Sequence, residues 1–142
     1  MTNPPRPNKI TYVEFPAEPS TLTLVRDFFA AVFGWSYQAW GDDYADTSDS
    51  GVASGLNADA AHKTKRPLAV IYAPDLDATR SKIVEAGGRV TKEIFTFPGD
   101  RRFHFKDLAG NGLAFWSDKA GTRHLLVLLS WPVAIRNSWS SK

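Results

Sequence analysis

Three side chains in the stretch RRFHFKDLAGNGLAFWSD, residues 101–118, are of types that suit the binding or chemistry of a small molecule. His104 carries a group that changes charge near neutral pH. Arg102 could pair with a carboxylate or phosphate through two parallel hydrogen bonds, and Trp116 offers a flat apolar surface to a planar ligand. A lone histidine on an alternating strand is more often packed than catalytic, so its role depends on the elements around it.

The sequence lacks the motifs of several other kinds of active site. It contains no glycine-rich phosphate loop, no G-x-S-x-G elbow and no H-E-x-x-H pair. It has no cysteine, which excludes disulfides, thiol nucleophiles and thiolate metal sites. His62 lies in a polar linker and His124 beyond the last hairpin. The acidic segment 41–49 lacks the spacing of a calcium loop, and we interpret it as an exposed loop.

Composition predicts one small globular domain. The chain has 142 residues, 43% of them hydrophobic, and a formal net charge of +2. Its basic residues form no long cluster, so we expect no nucleic-acid partner. The polar, proline-rich start lacks the apolar core of a secretory signal, and the apolar segment 125–135 is too short for a membrane span. We expect a cytoplasmic protein without membrane contact.

The same order of elements is predicted twice along the chain. β-Branched and aromatic runs predict strands, apolar residues at helical spacing predict helices, and glycine or proline marks where they end. This order predicts an α+β domain of two paired βαβββ modules (about 9–57 and 67–118) in a curved, cavity-enclosing mixed sheet. A mobile tail (1–8) and a C-terminal extension (119–142) flank it. The predicted elements are strand 10–15, helix 18–35 ending at Gly34, strands 36–40, 44–47 and 51–56, exposed connector 57–66, strand 68–73, helix 75–88 with Asp75 as N-cap and Gly87 as stop, strand 89–97 and hairpin strands 102–107 and 113–117.

The first predicted helix carries a stripe at helical spacing, which predicts a buried face, and the second carries a stripe of four residues along one side. In the final hairpin, Asp107 and Asn111 are of the types that hydrogen-bond their own backbone in turns. The stripe of the first helix consists of Val25, Phe28, Phe29, Val32 and Phe33, which we interpret as core. That of the second helix consists of Leu76, Arg80, Ile83 and Val84.

The sequence resembles the glyoxalase / bleomycin-resistance / extradiol-dioxygenase proteins, the vicinal oxygen chelate superfamily. The motifs are F-x-x-V-F-G-W at residues 29–35, PLAVIYAPDLDATRSKIVEAGGRV at residues 67–90 and F-x-D-x-x-G-N at residues 105–111. The resemblance covers about residues 9–118. It implies paired modules that close around a U-shaped cavity, usually in dimers, so we expect a homodimer.

Metal-dependent members of this superfamily place His, Gln or Glu at fixed strand positions that line the cavity. The resemblance puts Tyr12, Leu68 and Ala114 at those positions here. None of these is a ligand for a divalent ion, and a catalytic zinc needs about three His or carboxylate ligands. We therefore predict no cofactor at the usual place, while a divalent metal at shifted positions stays open.

Strand alternation, combined with the superfamily pattern, predicts which other side chains line the cavity. Phe103 and Phe105 are then expected on the helix side of the sheet. We expect Glu14 and His104 to act as acid and base if the protein is an enzyme. The predicted ligand-binding residues are Tyr12, Tyr72, Arg102 and Trp116, with Trp40 and Tyr44 as additions.

Three functions stay open at this point, and whether the chain is an enzyme is undecided. The first is a metal-independent protein that binds a small aromatic or anionic molecule, as drug-sequestering resistance members of the superfamily do. The second is a metal-dependent lyase, isomerase or dioxygenase with a shifted site that includes Glu14 and His104. The third is a metal-free enzyme that uses the same pair as acid and base.

Overall fold

Eight strands and two helices lie in the part of the chain that the computed structural model describes, residues 5–97 and 100–119. Their order, βαβββ followed by βαβββ, confirms the predicted duplication. Predictions for residues 1–4, the turn at 98–99 and the segment 120–142 with His124 lie outside the described residues. The elements are β1 (Ile10–Pro16), α1 (Leu22–Phe33), β2 (Gln38–Ala39), β3 (Tyr44–Thr47), β4 (Ala53–Asn57), β5 (Leu68–Tyr72), α2 (Leu76–Glu85), β6 (Arg89–Phe97), β7 (Asp100–Lys106) and β8 (Gly112–Ser117).

The chain forms two compact units. We call residues 11–69 the N-terminal unit and the described residues 5–10 and 70–119 the C-terminal unit. The N-terminal unit holds a mixed sheet in the order β2-β3-β4-β1, in which β1 and β4 run parallel and the other pairs antiparallel. Its core consists of Ala17, Leu22, Leu56 and Ala58, with Phe15, Val25, Phe29 and Tyr37 packed against it.

Helix α1 ends at Gly34 as predicted, because glycine adopts the left-handed conformation (φ 76°) that closes the helix. Its predicted buried face is only partly buried. Phe28 is 58% exposed, and Val32 and Phe33 are also more than half exposed. The interpretation of these three residues as core is therefore wrong. Helical spacing shows which side chains share a side, but the small core of this unit covers only the part of the stripe at Val25 and Phe29.

The C-terminal unit holds four strands in the order β5-β8-β7-β6, with β6–β7 and β7–β8 antiparallel. Phe103 and Phe105 of β7 pack with Phe115 of β8 in a core that also contains Ala73 and Leu76. Their placement on the helix side of the sheet confirms the prediction from alternation. The alternate residues of β7 and β8 consequently share the opposite face of the sheet.

Helix α2 begins as predicted at Asp75, whose carboxylate accepts a hydrogen bond from the Ala78 amide at 3.0 Å. Leu76 is buried and Ile83 packs against the core. Val84, which the sequence pattern places along the same side as these two residues, is about half exposed. Within this ten-residue helix, Leu76 and Ile83 lie two turns apart and contact the core, while Val84 beside Ile83 is left to solvent.

Two predicted boundaries are corrected in the N-terminal unit. β4 extends to Asn57, and Asn57 and Ala58 are buried, so the exposed connector begins later than residue 57. The acidic segment 41–49 is not a continuous exposed loop, because β3 lies within it and Asp46 is buried. A polar sequence can occupy a buried strand when its groups are hydrogen-bonded, and the Trp40 indole donates to Asp46 at 3.0 Å.

The final hairpin has the predicted turn chemistry. The Asp107 carboxylate accepts hydrogen bonds from the backbone amides of Ala109 and Asn111 and from the Asn111 side chain, each at 2.9 Å. These bonds hold the pKa of Asp107 below its usual value, the Asn111 side chain contributing most.

Neither helix of the described chain is long and apolar enough to cross a membrane.

Candidate functional site

The N-terminal unit buries two of the predicted site residues on one face of β1. Tyr12 and Glu14 are buried while Val13 and Phe15, which alternate with them, are half-buried. Glu14 is only 1% exposed. A carboxyl group so far from water has to be hydrogen-bonded, since an unpaired buried charge is strongly unfavourable.

The contacts of Glu14 satisfy both of its carboxylate oxygens. The Tyr44 hydroxyl donates to Oε2 at 2.8 Å, and the Asn57 amide donates to Oε1 at 3.0 Å. The Tyr12 hydroxyl lies 2.7 Å from the Tyr44 hydroxyl. A phenol has one proton to donate, and that of Tyr44 is used on Glu14, so Tyr12 is the donor to Tyr44. The result is a directed chain of hydrogen bonds from Tyr12 through Tyr44 to Glu14.

Gly55 provides the space for this chain. It lies opposite Glu14 in β4, and a Cβ built on it would be 2.0 Å from the Tyr12 hydroxyl and 2.6 Å from the Tyr44 hydroxyl. Neither Gly55 nor Asn57 was predicted as part of the site. A glycine inside a strand often marks a close approach of another group, and this signal could have identified Gly55.

The C-terminal unit gathers the other predicted site residues on the face of β7 and β8 away from its phenylalanine core. Arg102 lies opposite Trp116 in the paired strands, and His104 lies opposite Ala114. All four side chains are buried, and Arg102 is only 1% exposed. The predicted common face of Arg102, His104 and Trp116 is therefore found in the register of a single hairpin.

Tyr72 joins this face from β5. Its ring meets the Trp116 ring edge-on, with 4.9 Å between centroids. Its hydroxyl donates to the Asp118 carboxylate at 2.7 Å. Burial raises the pKa of Tyr72 well above its usual value, and the hydrogen bond to Asp118 adds to the shift. Tyr72 therefore stays a neutral hydrogen-bond donor, and its ring packs on that of Trp116, the residue opposite Arg102.

The structure adds a carboxyl group that sequence reasoning missed. Asp100 begins β7 two residues before Arg102, is 2% exposed, and finds no hydrogen-bond partner for either carboxylate oxygen among the described residues. Burial raises the pKa of Asp100 to about 8, the charge of Asp118 raises it further, and Arg102 opposes the shift. The sequence predicted Asp100 as the last residue of the turn 98–100, which is wrong, because Asp100 is the first residue of β7 and is buried.

The residues at the superfamily's metal positions do not fit a metal ion. Leu68 and Ala114 are buried and have no donor atom, and the Tyr12 hydroxyl is engaged with Tyr44. Within residues 5–97 and 100–119, no three His, Asp or Glu side chains come together in a way that could hold a metal. The donor set needed for an oxygen- or nitrogen-ligated divalent ion is therefore not found in this part of the chain.

One cleft of the N-terminal unit lies away from every predicted site residue. It has a volume of about 550 Å³ and is found at the start of α1, between Glu18, Thr21, Lys63 and Lys65. Lys63 forms an ion pair with Glu18 at this cleft.

The structure brings Tyr12 and Glu14 together in one unit, and Tyr72, Arg102, His104 and Trp116 in the other. Their predicted roles as ligand-binding and acid–base groups stay predictions.

Comparison with known proteins agrees with the fold. The sequence profile of the Glyoxalase/Bleomycin resistance protein/Dioxygenase superfamily matches residues 11–115, which is most of the chain. The chain belongs to this superfamily, and its duplicated βαβββ order is the glyoxalase-like α+β fold. Searching proteins of curated function gives no significant match.

Similar solved structures support the same fold. A manganese-bound glyoxalase from Novosphingobium aromaticivorans is 21% identical, with a TM-score of 0.58, over 81% of this chain and 40% of that one. The methylmalonyl-CoA epimerase of Streptomyces coelicolor is 15% identical, with a TM-score of 0.54, over 81% of this chain and all (100%) of that one. A NAD-dependent benzaldehyde dehydrogenase from Legionella pneumophila is 12% identical, with a TM-score of 0.62, over 76% and 98% of the two chains. At these identities the likeness concerns the fold, and the activities belong to those proteins.

Proposed function

We propose that this protein binds a small aromatic or anionic molecule against the buried polar face of the C-terminal unit, without the metal that many members of its superfamily use. The observation that carries the proposal is the burial of Arg102 on a sheet face that also carries Trp116 and His104. Arg102 is 1% exposed, lies opposite Trp116 in the hairpin, and shares its face with His104. The lining that the sequence predicted for a ligand is thus largely gathered in one unit.

A buried guanidinium favours an anionic partner. Arginine cannot lose its charge in a protein, so taking it out of water is costly unless anionic or polar groups surround it. Its planar fork suits the two oxygens of a carboxylate or phosphate. In surroundings of low dielectric constant such a contact is stronger than it would be in water. An anionic group of the ligand would add to the polar surroundings that Arg102 already has.

The aromatic residues add a surface for a planar group. Tyr72 and Trp116 meet edge-on, with 4.9 Å between their ring centroids, and we propose that a planar group of the ligand packs on this pair. Both side chains are buried, so the ligand would occupy a mostly dry site. Phe95 of β6 lies opposite Arg102, and its ring is 5.8 Å from that of His104, which extends the aromatic surroundings of the face.

The metal-dependent alternative has less support because of the side chains themselves. The superfamily's ligand positions carry two residues without donor atoms, Leu68 and Ala114. The acid–base alternative also has less support, since Glu14 accepts hydrogen bonds at both oxygens from Tyr44 and Asn57. A base so engaged must break one of these bonds before it can take a proton from a substrate.

Ligand binding by the purified protein tests the proposal. We expect benzoate or phenyl phosphate to quench tryptophan fluorescence saturably, and calorimetry to give a matching Kd. Arg102→Lys keeps the charge but loses the fork, and we expect it to weaken binding about tenfold or more. Arg101→Lys is the matched control, because Arg101 lies next in the strand and contacts Asp77 of α2 instead.

Metal analysis and turnover assays separate the alternatives. Stoichiometric zinc, nickel, manganese or iron that is lost in His104→Ala would overturn the proposal in favour of the shifted metal site. Turnover of a bound compound that Glu14→Gln abolishes, with its Kd unchanged, would favour the acid–base enzyme. Saturable binding without turnover or metal would support the binding protein.

A further inference from the structure

We propose that Asn111 is a site of spontaneous deamidation and that Asp107 slows this reaction by holding the side-chain amide of Asn111. Asn111 is followed by Gly112, and the sequence contains no other Asn-Gly pair. Both residues are exposed, so water reaches them. The inference goes beyond the proposed function, because it concerns the last hairpin turn and a modification that needs no ligand.

The reaction needs only the Asn-Gly pair and water. The Gly112 nitrogen attacks Cγ of Asn111, so that a bond forms between these atoms while the bond from Cγ to Nδ2 breaks. The departing nitrogen takes the proton of the Gly112 amide and leaves as ammonia, and a cyclic imide remains. Water then opens one of the two C–N bonds of the ring and gives aspartate or isoaspartate. Glycine favours the attack because it has no Cβ to hinder its nitrogen.

The hairpin turn holds Asn111 against Asp107 at three points. Nδ2 of Asn111 donates to Oδ2 of Asp107 at 2.9 Å, and the Asn111 backbone amide donates to Oδ1 at 2.9 Å. The Asp107 backbone amide in turn donates to the Asn111 carbonyl at 3.0 Å. With its backbone fixed on both sides and its carboxamide bonded to Asp107, Asn111 cannot turn that carboxamide freely towards Gly112.

The side-chain bond between the two residues is of the strong kind, because its acceptor is a carboxylate. Hydrogen bonds with an ionised partner are shorter and stronger than those between neutral groups. The same bond contributes most to holding the pKa of Asp107 below its usual value, so Asp107 stays ionised at neutral pH. Asn111 has to give up this bond before Gly112 can attack, and its loss adds to the barrier of the reaction.

Conversion would weaken the turn that Asp107 stabilises. An aspartate at position 111 has no Nδ2 donor, and its charge would face the Asp107 carboxylate. Isoaspartate also lengthens the main chain by a carbon atom directly before β8, which pairs with β7 from Gly112 onwards. A slow change at an exposed asparagine is thereby connected to the hairpin that carries Arg102 and Trp116.

Incubation of the full chain at neutral pH tests the proposal, with the conversion of Asn111 followed by mass spectrometry of the tryptic peptide 107–119. Asp107→Asn keeps a carbonyl oxygen for the backbone amides but has no second acceptor for Nδ2 of Asn111. We expect Asn111 to convert about threefold faster or more in this variant than in the wild type. Fragmentation of the peptide distinguishes position 111 from the new amide, which precedes Leu108.

The unfolded chain provides the reference rate. In guanidinium chloride we expect wild type and Asp107→Asn to convert at the same rate, about tenfold or more above that of the folded wild type. Glu14→Gln exchanges a hydrogen-bonded carboxylate for an amide in the N-terminal unit. It controls for general destabilisation, and Asn111 should convert in it at the wild-type rate.

Two further variants test the attacking group and the bond itself. Gly112→Ala fits the fold, because nothing lies within 4 Å of a Cβ there. Its methyl group hinders the nitrogen, so conversion in guanidinium chloride should be about tenfold slower or more. Asn111→Asp carries the charge of the aspartate product, and we expect it to unfold at a lower urea concentration than the wild type.

Several results would overturn the inference. Equal rates for the folded wild type and Asp107→Asn would show that Asp107 does not slow the reaction, as would a wild type that converts equally fast folded and unfolded. An Asn111→Asp protein as stable as the wild type would show that the bond does not hold in solution. If Asn111 stays unconverted in guanidinium chloride, it is not a deamidation site. None of these measurements uses a ligand, so they are independent of the proposed function.

Discussion

The hydroxyl of Tyr12 lies where a side chain at Gly55 would lie, since a Cβ built at Gly55 would be 2.0 Å from that oxygen. The missing side chain lets Tyr12 and Tyr44 meet above β4 and pass their hydrogen bonds to Glu14. One glycine in a strand therefore determines whether a buried carboxylate has its donors.

We expect Gly55→Ala to lower the free energy of unfolding by about 1–3 kcal/mol, because the added methyl group displaces both tyrosine hydroxyls from a packed interior. Urea denaturation measures the change. The double variant Gly55→Ala with Tyr12→Phe should be less destabilised than the sum of the two single variants, since removing the hydroxyl relieves the closest contact. Gly112→Ala is the control, because nothing lies within 4 Å of a Cβ there. Equal effects at the two glycines would contradict this account.

Glu14→Ala should cost about 2–4 kcal/mol in stability, because it leaves the donors of half-buried Tyr44 and buried Asn57 without their acceptor. Glu14→Gln keeps the shape and one acceptor, and we expect a smaller loss. Thermal and urea unfolding compare the two variants. A Glu14→Ala protein as stable as the wild type would show that the hydrogen-bonded chain has no structural role.

The corrected exposure of α1 predicts a contrast between two phenylalanines. Phe28→Ala should change the free energy of unfolding by less than about 1 kcal/mol, because its side chain is more than half exposed. Phe103→Ala should cost about 3–5 kcal/mol, because Phe103 is fully buried between Phe105 and Phe115. A large loss at Phe28 would mean that a partner covers this side of the helix in solution.

Asp100 makes the stability of the protein depend on pH in a direction that can be stated. Its pKa is raised from 3.8 to about 8, so the folded state holds the proton more tightly than the unfolded chain. The stability of the wild type relative to Asp100→Asn should therefore be greatest below about pH 4, fall as the pH rises towards 8, and become constant above that. Urea unfolding of both proteins at pH 5, 7 and 9 should show a change of more than about 1 kcal/mol. A difference that grows with pH in the opposite sense would refute the raised pKa.

Alternation was the most reliable guide to the site. It predicted that Phe103 and Phe105 would pack below the sheet and that Arg102 and His104 would share the other face, and the hairpin register confirms both placements. This worked because successive side chains on a strand must point to opposite sides, whatever surrounds the strand. The superfamily motifs indicated which strands to align, and the profile match over residues 11–115 confirms the superfamily.

Exposure was harder to predict than periodicity. Val25, Phe28, Phe29 and Val32 have the spacing of a buried face, but only the first and third pack against the core. The spacing of apolar residues in a helix indicates which side chains lie on one side of it. How many of them are buried depends on the sheet surface that the helix packs on, and residues far away in sequence form that surface. The same limit explains Val84 in α2.

By itself, the sequence determined the duplicated βαβββ order, the superfamily and the two faces of β7, because these depend on local periodicity and on motifs of adjacent residues. Only the tertiary structure decided that Glu14 accepts hydrogen bonds from Tyr44 and Asn57, and that Asp100 is buried without a hydrogen-bonding donor in the described chain. Hydrogen bonding and desolvation depend on groups brought together from distant parts of the chain, and residue type alone does not specify them.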